Sequence, residues 1–151
     1  MKRVLVLIVL LACGIVGCGK GAKEAQIPAA LKNVELAFGP GRLEKRDLQA
    51  AAGVLAEECQ KGEFKDCKLQ RVAYDEAKSD KALAPFLSDP ASILCGTAPE
   101  NAVMLLADFR TGKHPSVESK LEANKPYTAY PWYLARKNAE SPWEVIGKGY
   151  D

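Results

Sequence analysis

Residues 43–61 read LEKRDLQAAAGVLAEECQK, and this stretch has the clearest secondary-structure signal in the chain. Its apolar residues recur at the three- and four-residue spacing that places side chains on one face of an α-helix. The residues of that face are Leu48, Ala51, Ala52, Leu55, Ala56 and Cys59. Lys61 and Gly62 then provide a common helix ending. The stretch predicts an amphipathic helix from about Leu43 to Lys61.

The segments on either side of this helix also favour helices. Gly39-Pro40-Gly41 separates it from an earlier apolar segment, and Pro85 interrupts a short apolar stretch at residues 79–88. Thr97-Ala98-Pro99-Glu100 has the form of a capping box at the start of a helix that ends before Gly112. The predicted helical segments are 27–38, 43–61, 64–78, a single turn at 88–94, 97–111 and 117–124.

The C-terminal part has a different pattern. Residues 132–137 and 143–148 are short runs rich in aromatic and β-branched residues, and they alternate with a period of two. The pairs expected to share a face are Trp132 with Leu134, and Trp143 with Val145. We therefore expect a mainly α fold: a single domain at residues 29–151, with five to six helices and a C-terminal β-hairpin.

The N-terminus has the layout of a secretory signal. Lys2 and Arg3 precede an unbroken apolar run at residues 4–16. This run is short for a membrane-spanning helix, which needs about 20 residues. It ends in Ile15-Val16-Gly17-Cys18, which resembles the lipobox of bacterial lipoproteins: an aliphatic residue, a tolerant position, Gly or Ala, and Cys.

The resemblance implies that the Cys18 thiol carries a diacylglycerol group and that cleavage removes residues 1–17. Residues 18–28 would then form a flexible tether, and two or more acyl chains would hold the protein stably on a membrane. Gly19, rather than Asp, after the cysteine favours the inner leaflet of the outer membrane, facing the periplasm. A looser match ends at Cys13, and plain secretion or an uncleaved anchor are the remaining alternatives.

The same region also matches the spacing of a phosphate-binding loop. Gly14, Gly19 and Lys20 fit G-x-x-x-x-G-K, but Gly21 stands where a metal-binding Ser or Thr is required. The apolar run before it is that of a signal, so the interpretation as a phosphate site is rejected.

Charge excludes some classes of partner. The chain has 21 basic and 19 acidic residues, and loss of Lys2 and Arg3 with the signal leaves 19 of each. Nothing resembles the basic stripe that nucleic-acid binding requires. The 134 residues that remain of 151 suit one small domain with its own core.

Three cysteines remain after the anchor: Cys59, Cys67 and Cys95. An oxidising compartment permits disulfides, and the turn between the second and third predicted helices favours a Cys59–Cys67 pair. A loop of about nine residues would contribute roughly 2.5 kcal/mol by chain entropy. The other pairings and free thiols remain open. Neither this spacing nor the one histidine fits a zinc site, so no metal or cofactor is expected.

Catalytic patterns are weak. His114 lies in the loop-like sequence GKHPS without a nucleophile motif, and neighbouring carboxylates such as Glu57 and Glu58 diverge on a helix. We expect no catalytic residues and no enzyme. A hydrolase that uses His114 is kept as an alternative.

Aromatic side chains form the best candidate for a binding surface. Six of the eleven aromatic residues lie between Tyr127 and Tyr150, and Tyr and Trp are frequent in binding hot spots. The candidate surface consists of Tyr127, Tyr130, Trp132, Tyr133 and Trp143. The alternative is that these residues pack the hairpin on the helices.

The expected function is that of a lipid-anchored, non-enzymatic binding or structural module in the envelope, with a protein partner. Two cysteines around a helix turn in a short lipoprotein also resemble plasmid exclusion lipoproteins. An exclusion or immunity lipoprotein is therefore a second alternative.

Overall fold

A computed structural model describes residues 27–115 and 121–149. Within these ranges the chain forms an α/β fold with two α-helices and a five-stranded mixed sheet. Short 3-10 turns lie at Ala29–Leu31, Gly62–Phe64 and Pro99–Asn101. The main elements are β1 Glu35–Phe38, α1 Lys45–Glu58, β2 Lys68–Tyr74, α2 Glu76–Ser88, β3 Ala102–Arg110, β4 Pro126–Ala135 and β5 Glu144–Lys148.

The strands lie in the sheet in the same order as in the chain, from β1 to β5. β1 and β2 are parallel, and α1 makes the crossover that a parallel connection requires. The remaining neighbours are antiparallel. β1 and β5 are therefore the two edge strands.

The central strand β3 separates two apolar layers. Val103 and Leu105 point to the face that α1 covers, whereas Ala102 and Met104 point to the face that α2 covers. We call these the α1 face and the α2 face. Because both sides of β3 are buried, its sequence AVMLLADF is almost continuously apolar.

Aromatic rings fill the α1 face. The Phe64 ring lies 5.1 Å from Trp132 and 5.6 Å from Phe109, measured between ring centroids. The Lys148 ammonium lies over the Phe64 ring at 4.8 Å and donates to Glu63 at 2.7 Å. The 3-10 turn before β2 is thereby tied to the last strand.

Arg136 ties the end of β4 to α1. Its guanidinium donates to Asp47 at 3.1 Å and to the Asn101 side chain at 3.1 Å. It also lies 4.5 Å from the centre of the Trp143 ring. The Arg136 side chain is almost fully buried, so these partners offset the loss of its hydration.

The prediction of a mainly α fold with five to six helices is wrong. The helix predicted at 43–61 is present as α1, but residues 97–111 form a 3-10 turn followed by β3. Because β3 is buried on both faces, its apolar residues do not alternate with polar ones. The capping-box sequence before it starts only the 3-10 turn at Pro99–Asn101.

A β-bulge explains the second error, the helix predicted at 64–78. Leu69 pairs with Phe109 and Arg71 pairs with Asp108, so Gln70 is an extra residue in β2. The bulge places Leu69 and Val72 three positions apart on the same face, a spacing that resembles a helix although the segment is a strand.

α2 includes the stretch at residues 79–88, which Pro85 was expected to interrupt. The Asp75 side chain accepts a hydrogen bond from the Lys78 N–H at 3.0 Å and caps α2. Pro85 lies in the last turn of that helix; it has no N–H to donate to the Lys81 carbonyl, and the helix ends three residues later, at Ser88. Of the single helical turn expected at 88–94, Ser88 belongs to α2 and the rest of the segment forms turns and a bend.

The remaining predicted helices are absent. Residues 27–38 form a 3-10 turn and β1, and residues 121–124 form a turn. The rest of the segment predicted at 117–124 lies outside the described residues.

The C-terminal hairpin is present as β4 and β5. Its register pairs Trp132 with Lys148 and Leu134 with Val145. Trp132, Leu134, Trp143 and Val145 all contribute to the core of the α1 face. Ile146 is a bulged residue of β5, because Gly147 pairs with Tyr133 and Val145 pairs with Leu134.

The signal at 1–17, Cys18 and most of the tether lie outside the described residues, so the anchor stays a prediction. Neither helix in the described ranges combines the length and apolarity needed to cross a membrane.

Candidate functional site

The two tryptophans of the candidate surface are core residues. Trp132 is 0% exposed and Trp143 is 4% exposed. Trp132 pairs with Lys148 in the β4–β5 register, Trp143 directly precedes β5, and both belong to the core of the α1 face. This corrects the prediction for Trp132 and Trp143, which cannot contribute to a docking surface in this fold.

A bulge in β4, opposite Asp108, brings two of the tyrosines to the same face. The Ala129 N–H donates to the Asp108 carboxylate at 2.7 Å, and Ala129 has a φ of 51°. Tyr127 and Tyr130 therefore both pack on Phe109, with centroid distances of 5.2 and 5.3 Å. They are half-buried at the rim of the core.

Tyr133 lies on the opposite, α2 face. Its ring contacts Phe86 of α2 at 5.8 Å between centroids. The two rings border a groove of about 390 Å³, which we call the α2 groove. The residues that line it are Phe86, Asp89, Ser92, Ile93, Leu94, Tyr133, Ile146, Gly147, Lys148 and Gly149.

The rim of the α2 groove exposes large apolar side chains. Ile93 is 84% exposed and Phe86 is 38% exposed. A third exposed apolar residue in the described ranges, Ile27, lies at another groove. Exposed apolar side chains gathered around a concavity are typical of interaction sites, whereas isolated ones are ordinary.

A hydrogen-bonded turn holds Ile93 in this exposed position. The Ala91 N–H donates to the Asp89 carboxylate at 2.9 Å, and the Leu94 N–H donates to the Ser92 hydroxyl at 3.1 Å. The Leu94 side chain is buried and anchors the turn on the α2 face. The backbone therefore presents Ile93 to solvent in a defined geometry.

These turn bonds also determine what the groove can bind. Three polar or charged side chains of the lining are already engaged: Asp89 and Ser92 accept backbone hydrogen bonds, and Lys148 pairs with Glu63. The contacts left for a ligand come mainly from Phe86, Ile93 and Ile146. The groove is suited to apolar side chains of another molecule.

Cys59 and Cys67, the predicted disulfide pair, are unbonded in the structure, and so is Cys95. Cys59 and Cys67 line one groove beside the C-terminal end of α1, and Cys95 is exposed. Burial raises the pKa of the Cys59 thiol to about 12, and the nearby Cys67 adds to this rise. Burial also raises the pKa of Cys67. The Cys59–Cys67 disulfide stays a prediction, which non-reducing peptide mapping tests.

The hydrolase alternative gains no support. His114 is exposed, and no hydrogen bond or ion pair joins it to any residue of 27–115 or 121–149. The carboxylates that are adjacent in the sequence also have structural roles, since Glu58 pairs with Lys61 and Glu76 pairs with Arg42. In the same ranges no three side chains of the His, Cys, Asp and Glu types gather as a metal site.

Sequence reasoning missed Phe86 and Ile93. Phe86 lies in the apolar stretch that Pro85 interrupts, and Ile93 lies in the segment expected to form a single helical turn; neither sequence pattern marks an exposed residue. Only their place beside Tyr133, on a partly covered face of the sheet, identifies them as surface residues.

No family model matches the chain, and neither the curated proteins nor the solved structures yield a match.

Proposed function

We propose that this protein is a lipid-anchored envelope lipoprotein that binds a protein partner through the α2 groove without catalysis. The observation that carries the proposal is Ile93, 84% exposed on a hydrogen-bonded turn at the rim of an apolar groove. A rigidly presented apolar side chain loses little conformational entropy on binding, as is typical of interface hot spots.

The anchor part of the proposal rests on the lipobox resemblance at Cys18. An acylated Cys18 and a short tether would keep the folded part near the membrane surface, at most about 30 Å away for nine extended residues. An envelope protein is therefore the expected partner.

The binding part can be tested by photo-crosslinking in intact cells. A photo-reactive amino acid replaces Ile93 in the full chain, and the same amino acid replaces exposed Lys65 in the control. We expect a defined protein adduct from position 93 that position 65 does not give. A Phe86→Asp change should reduce this adduct strongly. Equal adducts from both positions, or none from position 93, would contradict the proposal.

The anchor part has a separate test. A Cys18→Ser variant should lose acylation, remain unprocessed and lose its lipid attachment, as followed by fatty-acid labelling and mass spectrometry. Unchanged processing would show that the anchor assignment is wrong, and it would leave the groove experiment informative.

A further inference from the structure

The other edge of the sheet carries a second and larger groove. It lies between β1 and the start of α1 and has a volume of about 680 Å³. We call it the β1 groove. The residues that line it are Ile27, Val34, Leu36, Phe38, Gly39, Pro40, Gly41, Leu43, Lys45, Leu48 and Gln49.

The free edge of β1 offers backbone hydrogen bonds beside this groove. The Gly39 N–H donates to the Tyr74 carbonyl, so it points toward β2. Backbone groups alternate in direction along a strand, and those of Leu36 and Phe38 therefore point away from β2. Among the described residues β1 has one strand neighbour, so these outward groups have no partner in the sheet.

The same two residues supply the apolar wall. The side chains of Leu36 and Phe38 are half-buried against the core of the α1 face and line the groove. An added strand would thus receive backbone bonds from Leu36 and Phe38 and bury its alternate side chains against them.

Charge limits what the added strand can be. Among the described lining residues Lys45 is the one charged side chain; it is exposed and forms no ion pair within 27–115 or 121–149. A carboxylate on the incoming segment would complement it. The chain just before the groove, GKGAKEAQ at residues 19–26, lacks the apolar residues needed to fill it.

The opposite edge, β5, also borders a groove, of about 500 Å³, but its strand is irregular. Ile146 bulges out of β5, and bulges of this kind interrupt the regular ladder that a new strand needs. β1 pairs with β2 in an unbroken register of four residues.

We infer that the β1 edge accepts an extended segment of a partner protein as a sixth strand, with apolar side chains at alternate positions and a carboxylate that reaches Lys45. This second site goes beyond the proposed function, because it requires neither the lipid anchor nor the α2 groove.

Hydrogen exchange of the full chain in detergent tests the inference with a defined probe. The probe is a short synthetic peptide that alternates valine and threonine and ends in aspartate amide, so that it carries one carboxylate. A matched peptide ends in asparagine amide. We expect binding to slow amide exchange in residues 33–39 at least about tenfold, with no change in β5. The aspartate peptide should bind about threefold more tightly, as expected for one exposed ion pair.

Variants separate the backbone contribution from that of the side chains. Leu36→Ala removes the apolar contact alone, whereas Leu36→Pro also removes the outward N–H and leaves the bonds toward β2. We expect Leu36→Pro to abolish binding and Leu36→Ala to weaken it. Lys45→Glu should remove the preference for aspartate, whereas Lys81→Glu on α2 should retain it.

Peptides methylated on backbone nitrogens keep the test independent of how the variants fold. Methylation of the nitrogens that face β1 should abolish binding, and methylation of the alternate nitrogens should not. Several results would overturn the inference: no binding at about 1 mM peptide, protection of β5 instead of β1, or indifference to methylation. A dimer in sedimentation that the peptide dissociates would also overturn it, since the occupant would then be a second copy of the chain.

Discussion

The two faces of the sheet are each covered by one helix, but to different extents. On the α1 face, α1, the N-terminal turn and the Phe64 turn enclose a cluster of eighteen buried residues. On the α2 face, four buried residues form the corresponding cluster, and Tyr133 and Ile146 are only partly covered. The α1 face therefore carries most of the stability, and the α2 face leaves apolar surface available for binding.

The largest effect on stability should come from the centre of the α1 face. Trp132→Ala should lower the free energy of unfolding by about 3–5 kcal/mol, because it leaves a large cavity among packed rings. Urea unfolding followed by circular dichroism measures it. Trp132→Phe is the control. It should lose much less stability, because it keeps an aromatic ring and removes an indole N–H that has no hydrogen-bond partner among the described residues. A loss below about 1 kcal/mol for the alanine variant would contradict this view of the core.

The next effect concerns how α2 is attached to its face. The Met104 N–H of β3 donates to the buried Ser79 hydroxyl at 2.9 Å. Ser79→Ala should lower stability by about 1–3 kcal/mol, because it leaves that N–H buried without a partner. Ser88→Ala on the same helix is the control, since the exposed Ser88 hydroxyl bonds only carbonyls of its own turn. Equal losses in both variants would show that the α2 face does not depend on this bond.

A smaller, pH-dependent effect should come from the contact between the two helical layers. Arg42, which precedes α1, pairs with Asp80 and Glu76 of α2 and holds the pKa of Asp80 below its usual value. A lowered pKa in the folded state stabilises it at neutral pH, and this contribution is lost as pH falls through that pKa. Because the pair is partly exposed, Asp80→Asn should lower stability by only about 0.5–1 kcal/mol at pH 7.

The difference between wild type and Asp80→Asn should vanish in acid, below the usual carboxylate range near pH 4. It should also shrink at high salt. Thermal unfolding at several pH values and salt concentrations measures both trends. A difference that grows toward low pH would contradict the assigned sign.

The smallest effect on stability should come from the rim of the α2 groove. Ile93→Ser should change the free energy of unfolding by no more than about 0.5 kcal/mol, because the side chain is already exposed. Denaturant unfolding measures this change. A loss above about 1.5 kcal/mol would mean that Ile93 packs against the fold and is not held for a partner.

Local sequence signals predicted some elements because each was formed by one amphipathic face. α1 was predicted from its apolar positions, and the β4–β5 hairpin from alternation around Trp132 and Trp143. β3 was not predicted as a strand, because a strand buried on both faces lacks the alternation of apolar and polar residues. In β2, the bulge at Gln70 produced a spacing typical of a helix.

The site was harder to predict than the fold. Tyr133 was among the expected surface residues, but Tyr127 and Tyr130 turn toward the core through the bulge at Ala129. Phe86 and Ile93 come from a separate segment, and only tertiary structure places them beside Tyr133. No local pattern reports how much of a sheet face a helix leaves uncovered.

The spatial order of the strands has a consequence for assembly. In a chain that is made from its N-terminus, the residues of β1, α1 and β2 exist before those of any later strand. Each following strand then adds beside its predecessor, and none must be inserted between two strands that are already paired. The slow steps expected for this topology are the two long closures, in which β1 meets β2 across α1 and β2 meets β3 across α2; the paired residues lie 36 and 33–42 positions apart in the sequence.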